Sequence, residues 1–106
     1  MDNLEVAMGL IAGAGDSRSY CMEAIVHAKE GRFDEAREAM KSAVSAMVET
    51  HEIQTQLIRD EMEGNGEAVS LLMVHAQDHL NLALIMRDIA DEFITLYERI
   101  SRLEGK

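Results

Sequence analysis

Between Leu71 and Ile100 the chain repeats apolar residues at intervals of 3, 4 and 4, through Leu71, Val74, Asp78, Leu82, Ile85, Ile89, Phe93, Leu96 and Ile100. A strand would alternate with a period of two, whereas eleven residues over three turns predict a nearly straight helix with at most a slight right-handed supercoil. A second stripe, Leu72, Ala76, Leu80, Ala83, Ala90, Ile94 and Tyr97, lies along the same segment. That second stripe suffices to pack the helix within its own chain. A three-helix chain buries only one broad face of such a helix, so the first stripe stays in water unless another protomer covers it. A homo-oligomer joined through this helix, with cyclic symmetry, is therefore expected.

The rest of the chain is compatible only with more helix. Proline is absent, aromatic residues are 4%, and Ala, Leu, Met, Glu and Ile recur throughout, which favours helix over strand. The periodicity breaks twice, at Glu30-Gly31-Arg32 and at Glu63-Gly64-Asn65-Gly66-Glu67, where glycine and asparagine accept the backbone conformations that stop helices. The boundaries predict helices from Asp2 or Asn3 to Glu30, from Phe33 to Met62, and from Ala68 to Leu103. The last is about 50 Å long at a rise of about 1.5 Å per residue. Short links make consecutive helices antiparallel. The expected fold class is all-α, an antiparallel three-helix bundle, with residues 1–106 forming a single domain and Glu104-Gly105-Lys106 a frayed end.

Charge and cysteine content exclude several functions. A formal charge of −10, with basic residues scattered among acids as in Glu35-Ala36-Arg37-Glu38, argues against nucleic-acid binding and against an anionic membrane surface. No apolar run approaches the roughly 20 residues of a membrane-spanning helix. The opening residues MDNLEVAMGLIAGAG carry acids where a secretory signal has its basic region, so a cytoplasmic location without membrane insertion is expected. Cys21 is the only cysteine, which leaves no internal disulfide and no multi-thiolate metal site.

Asp78 is the one polar member of the first stripe. Cyclic symmetry would gather its copies near an axis, where unpaired carboxylates repel and require a cation or protons. Three carboxylates suit a hard oxygen-seeking ion such as Mg²⁺; the plainer alternative is a solvated aspartate at a defect in the stripe. His75, Asp78 and His79 lie at i, i+3 and i+4, on neighbouring parts of one helical face. Two histidines and a carboxylate could bind zinc, but no third protein ligand is evident and the glutamate of a His-Glu-x-x-His pattern is missing. A histidine merely hydrogen-bonded at an interface is the structural alternative.

The segment Val74-His75-Ala76-Gln77-Asp78-His79-Leu80 resembles the active-site region of the lactose/cellobiose-type IIA components of the bacterial phosphoenolpyruvate-dependent sugar phosphotransferase system. The resemblance extends, in order, through Met8-Gly9-Leu10-Ile11, Ala28-Lys29-Glu30-Gly31-Arg32-Phe33, and His51 with Gln54-Thr55-Gln56-Leu57-Ile58. It covers nearly the whole chain. It implies a three-helix protomer assembled as a homotrimer, a phosphorylated histidine at His75 and an axial aspartate at Asp78. It also implies phospho-HPr as donor, a IIB component as acceptor, and uptake of a β-linked disaccharide such as lactose, cellobiose or chitobiose. Asn81 departs from the family pattern, where an apolar residue, often methionine, is usual; Cys21 stands at a commonly small position.

The residues support phosphoryl chemistry in their own right. An imidazole near neutral pH keeps a ring lone pair able to accept phosphorus directly. The transfer needs in-line positioning and stabilised equatorial oxygens more than covalent help. His79 can donate an N–H and Gln77 an amide N–H, but Gln77 stands about 200° around the helix from His75. It would therefore serve the His75 of a neighbouring protomer. Gly9, Gly13 and Gly15 each cost about 1 kcal/mol within a helix relative to alanine; close packing accounts for them, with room for a phosphoryl group or partner as the alternative. Met8, Met22, Met40, Met47, Met62, Met73 and Met86 are expected mostly in the core. The competing function is a histidine phosphotransfer module of two-component signalling, which exchanges phosphate with receiver aspartates; a non-catalytic metal-centred trimer is the third reading.

Overall fold

The computed structural model describes residues 3–106, and these form three α-helices: α1 at Asn3–Lys29, α2 at Phe33–Met62 and α3 at Leu71–Leu103. Asp2, one of the two expected caps of the first helix, lies outside the described residues. Gly31 and Gly64 adopt φ of 82° and 81° at the two helix ends, a left-handed conformation that disfavours any side chain. At the first turn the Arg32 amide donates back to the His27 carbonyl at 2.8 Å, closing α1.

The third helix starts at Leu71, three residues after the expected Ala68. Ser70 sits in extended backbone (φ −108°, ψ 159°) and its hydroxyl accepts from the Met73 amide at 3.1 Å. A side-chain oxygen that satisfies an open amide of the first turn is worth about 1 kcal/mol. Here it fixes the boundary just after the apolar pair Ala68-Val69.

Consecutive helices run antiparallel, so α1 and α3 are parallel. α1 occupies the middle: it packs along both partners, while α3 meets α2 over a much smaller area. The bundle measures 58 × 20 × 20 Å. Its interior divides into two clusters. One joins Leu10 and Ala14 to Met47, Leu80 and Ala83; the other joins Cys21 and Ala24 to Met40, Ala90 and Ile94. Small residues on α1 permit the close approach. An added methyl at Gly13 would run into the side chain of Thr50 on α2, and the buried Ser17 hydroxyl donates to the Ala43 carbonyl at 2.8 Å. Arg37 ties α2 to α3 with ion pairs to Asp91 at 2.9 Å and Glu98 at 2.6 Å.

The core-facing stripe of α3 behaves as expected, with Ala76, Leu80, Ala83, Ala90 and Ile94 fully buried. Every apolar member of the other stripe is exposed, including Leu82 at 54% and Ile85 at 56%. Of the seven methionines expected mostly in the core, Met40 and Met47 are buried and Met73 and Met86 pack half-buried against the two clusters, while Met8, Met22 and Met62 are exposed. Met8 and Met22 belong to an outward line on α1 with Leu4 and Val26, at spacings that keep them on one helical face.

Candidate functional site

α3 presents His75 exposed and His79 half-buried. One helical turn separates them, and their rings meet edge to face with centroids 4.6 Å apart. The two Nε2 atoms are 3.1 Å apart, so one ring donates and the other accepts. His27 instead accepts from Arg32 at 3.0 Å beside the α1–α2 turn, and His51 is exposed on α2; neither joins the pair.

Gln77 is not brought to His75 within the chain. It points toward α2, where Gln54 Nε2 donates to Gln77 Oε1 at 2.7 Å. The Gln77 amide nitrogen has only the Met73 sulfur, at 3.8 Å, which is a weak acceptor. The side chain lies on the wall of a cleft of about 560 Å³ that includes Ile53, Leu57, Val69, Met73 and Val74. Residue spacing did not link Gln54 to Gln77, because a contact between two different helices leaves no spacing signal along either one.

Asp78 is exposed on the uncovered stripe, with no hydrogen bond or ion pair to any described residue. Among the described residues no three His, Cys, Asp or Glu side chains gather into a metal site. On the open stripe of α3 a single chain offers one carboxylate, Asp78. The donor chemistry therefore fits a hard divalent cation only where several chains converge, with oxygen ligands and retained waters.

The surroundings are poor in cations: Arg59 is the only lysine or arginine between residues 42 and 86, against Glu49, Glu52, Asp60, Glu61, Glu63, Glu67 and Asp78. No basic side chain is at hand to clamp a phosphoryl group permanently. Cys21 offers no alternative nucleophile, because burial pushes its thiol pKa up, with Arg87 opposing that shift, and the thiol rather than the reactive thiolate persists.

The fold is a three-helix bundle whose third helix carries a histidine pair. Residues 5–98 match the family described as PTS system, lactose/cellobiose specific IIA subunit. The lichenan-specific phosphotransferase enzyme IIA component of Bacillus subtilis is 42% identical over 101 residues, covering 95% of this chain and 92% of that protein. The N,N'-diacetylchitobiose-specific EIIA component of Escherichia coli K12 is 40% identical over 96 residues, covering 91% and 83%. Among solved structures, the cellobiose-specific enzyme IIA of Bacillus anthracis superposes with a TM-score of 0.91 at 41% identity, covering 96% of this chain and 94% of that one. The IIA(chitobiose) chain of an Escherichia coli IIA–HPr complex gives a TM-score of 0.83 at 36% identity, covering 95% and 98%. The chain belongs to the lactose/cellobiose-specific IIA family and is a component of a sugar phosphotransferase system. The two-component signalling alternative is not favoured. No described helix is long and apolar enough to cross a membrane.

Proposed function

We propose that this protein carries a phosphoryl group on His75, taking it from phospho-HPr and passing it to the IIB component of a permease for a β-linked disaccharide. The observation that carries the reading is the exposed His75 ring, poised with His79 at 3.1 Å on α3. It lies within the stretch that matches the family. A relative solved in complex with HPr supports the choice of donor, and relatives named for lichenan, cellobiose, chitobiose and lactose support the sugar class. A carrier of this kind works in the cytoplasm, where its protein partners are.

In the transfer, a lone pair of the His75 imidazole attacks phosphorus in line with the donor histidine. A new N–P bond forms as the donor's N–P bond breaks, and that electron pair returns to the donor ring. The proton released by the His75 ring balances the one the donor ring regains. His79 gives its N–H to a phosphoryl oxygen once the attacking lone pair is engaged. The phosphoramidate keeps its transfer potential because few cations surround it. Phosphorylation adds negative charge to an already acidic end of the bundle, which favours hand-off.

The active form in this reading is a homotrimer, with three copies of the exposed α3 stripe packed at the axis. Three Asp78 carboxylates would then be the residues to hold a structural Mg²⁺, which would offset their mutual repulsion. Removing divalent ions with a chelator is expected to lower the melting temperature of the trimer and restoring Mg²⁺ to recover it; an unchanged melting curve removes the ion from the account. Gln77 of one protomer donates to the phosphoryl group on His75 of the next.

The function is tested by incubating the protein with phosphoenolpyruvate, enzyme I and HPr and measuring its intact mass before and after acid. The expected result is one acid-labile phosphoryl adduct per chain, absent in His75→Gln. No adduct on a verified trimer overturns the carrier reading; an adduct retained in His75→Gln overturns the site.

A further inference from the structure

We propose that Gln54 is a positioning residue for phosphoryl transfer: by holding the Gln77 carbonyl oxygen, it turns the Gln77 amide nitrogen toward the site. The inference rests on the reading in which Gln77 serves the phosphoryl group of a neighbouring protomer.

A glutamine amide is two-faced. Its nitrogen only donates and its oxygen only accepts, and the terminal torsion that exchanges them has broad, roughly two-fold minima. Phosphoryl oxygens are all acceptors. An amide nitrogen facing them stabilises the charge spread over the equatorial oxygens in the transition state, whereas a carbonyl oxygen facing them repels it. An untethered Gln77 samples both orientations. Gln54 Nε2 donates to Gln77 Oε1 at 2.7 Å, which pins the carbonyl against α2. The amide nitrogen is left with the Met73 sulfur at 3.8 Å, a partner weak enough to be given up when a phosphoryl oxygen arrives.

The bond is placed where it does little for cohesion of the fold. α2 and α3 share only a small contact area, and the stronger tie between them is the Arg37 fork to Asp91 and Glu98. Both amides are half-buried, so water could satisfy either one if they parted. Orientation of the donor is what the pair supplies.

The test is single-turnover transfer from phospho-HPr to the purified, verified trimer, comparing wild type, Gln54→Leu, Gln54→Glu and Gln77→Leu, and each Gln54 variant combined with Gln77→Leu. Gln54→Leu frees the amide and is expected to lower the rate constant at saturating donor about tenfold, with half-saturation unchanged. Gln54→Glu keeps the shape but can only accept, so it draws the Gln77 nitrogen toward α2, presents the carbonyl to the phosphate and is expected to be slower still. In the Gln77→Leu background neither Gln54 substitution should slow transfer further. Wild-type transfer by Gln54→Leu, or equal slowing with and without Gln77, overturns the proposal. Wild-type transfer by Gln77→Leu removes Gln77 itself from the mechanism and the proposal with it. The absence of any adduct on the wild-type protein would instead strike at the carrier reading.

Discussion

The two faces of α3 are built on opposite principles. The face its own chain covers is lined largely with alanine, at Ala76, Ala83 and Ala90, punctuated by Leu80 and Ile94, all fully buried. The face its own chain leaves open carries Leu82, Ile85, Ile89, Phe93, Leu96 and Ile100, all exposed. Alanines let α1 and α3 approach closely and bury little area per residue, whereas each large side chain is worth about 1.5–3 kcal/mol when fully removed from water. Six large apolar side chains of this helix thus remain about half accessible in the fold that a single chain makes. In the proposed trimer, folding and assembly are therefore two separate uses of one helix, and each is expected to break alone.

The largest effect is expected at the open face. Ile89→Lys places a charge in the middle of the exposed stripe, 46% accessible in the isolated chain; in an assembled seam that ammonium would lose its water without a partner. Sedimentation should show monomers that retain their helical circular dichroism, and phosphoryl transfer should be lost with the trimer. A stable, active trimer of this variant would mean that the stripe is not the interface. Leu80→Ala acts on the covered face. It deletes a fully buried side chain from the cluster around Leu10 and Met47, and should cost roughly 2–5 kcal/mol of unfolding free energy in a denaturant titration. If the faces are separate, Leu80→Ala lowers the denaturation midpoint without changing the mass of the folded assembly, while Ile89→Lys changes the mass and lowers the midpoint only by the contribution of assembly, so that its midpoint no longer depends on protein concentration.

Much of this architecture was legible in the sequence because helices write their environment into a short period. The two α3 stripes, the Gly31 and Gly64 breaks, and the extent of α2 follow from spacing and turn chemistry, and the histidine pair follows from the i, i+4 rule. The late start of α3 was legible too: Ser70 immediately precedes the first apolar repeat, and capping outweighed the apolar Ala68-Val69 that suggested an earlier start. What spacing could not convey was which helix lies in the middle. The small residues of α1 at Ala7, Ala14, Ser17, Cys21, Ala24 and Ala28 read as a weakly amphipathic pattern, yet they are what lets α1 touch both neighbours at once. Three methionines, Met8, Met22 and Met62, departed from the core for a related reason. A flexible apolar side chain suits a core and an outer face equally well, so composition alone cannot assign Met8 or Met22. The Gln54–Gln77 bond was hidden because it depends on how two helices meet.

The three glycines of α1 extend the same contrast between covered and open faces at a smaller scale. All three stand in helix interior, where each costs about 1 kcal/mol relative to alanine through backbone entropy, yet their surroundings differ. Gly13 faces Thr50, whose own hydroxyl is already engaged with the Ala46 carbonyl at 3.3 Å. A methyl there has to displace a buried side chain and should destabilise the fold by roughly 1–3 kcal/mol despite the gain in helix propensity. Gly9 and Gly15 have no atom within 4 Å of where a Cβ would stand, so in an isolated chain each alanine substitution should raise stability by about 0.5–1 kcal/mol. Thermal unfolding of Gly15→Ala in the Ile89→Lys background measures that gain in the monomer. Repeating the measurement in the wild-type background then tests the other side of the contrast. The same gain in both states leaves the Gly15 face open in the assembly, whereas a gain seen only in the monomer means that a neighbouring protomer covers it, so that this glycine is retained for assembly as Gly13 is for folding.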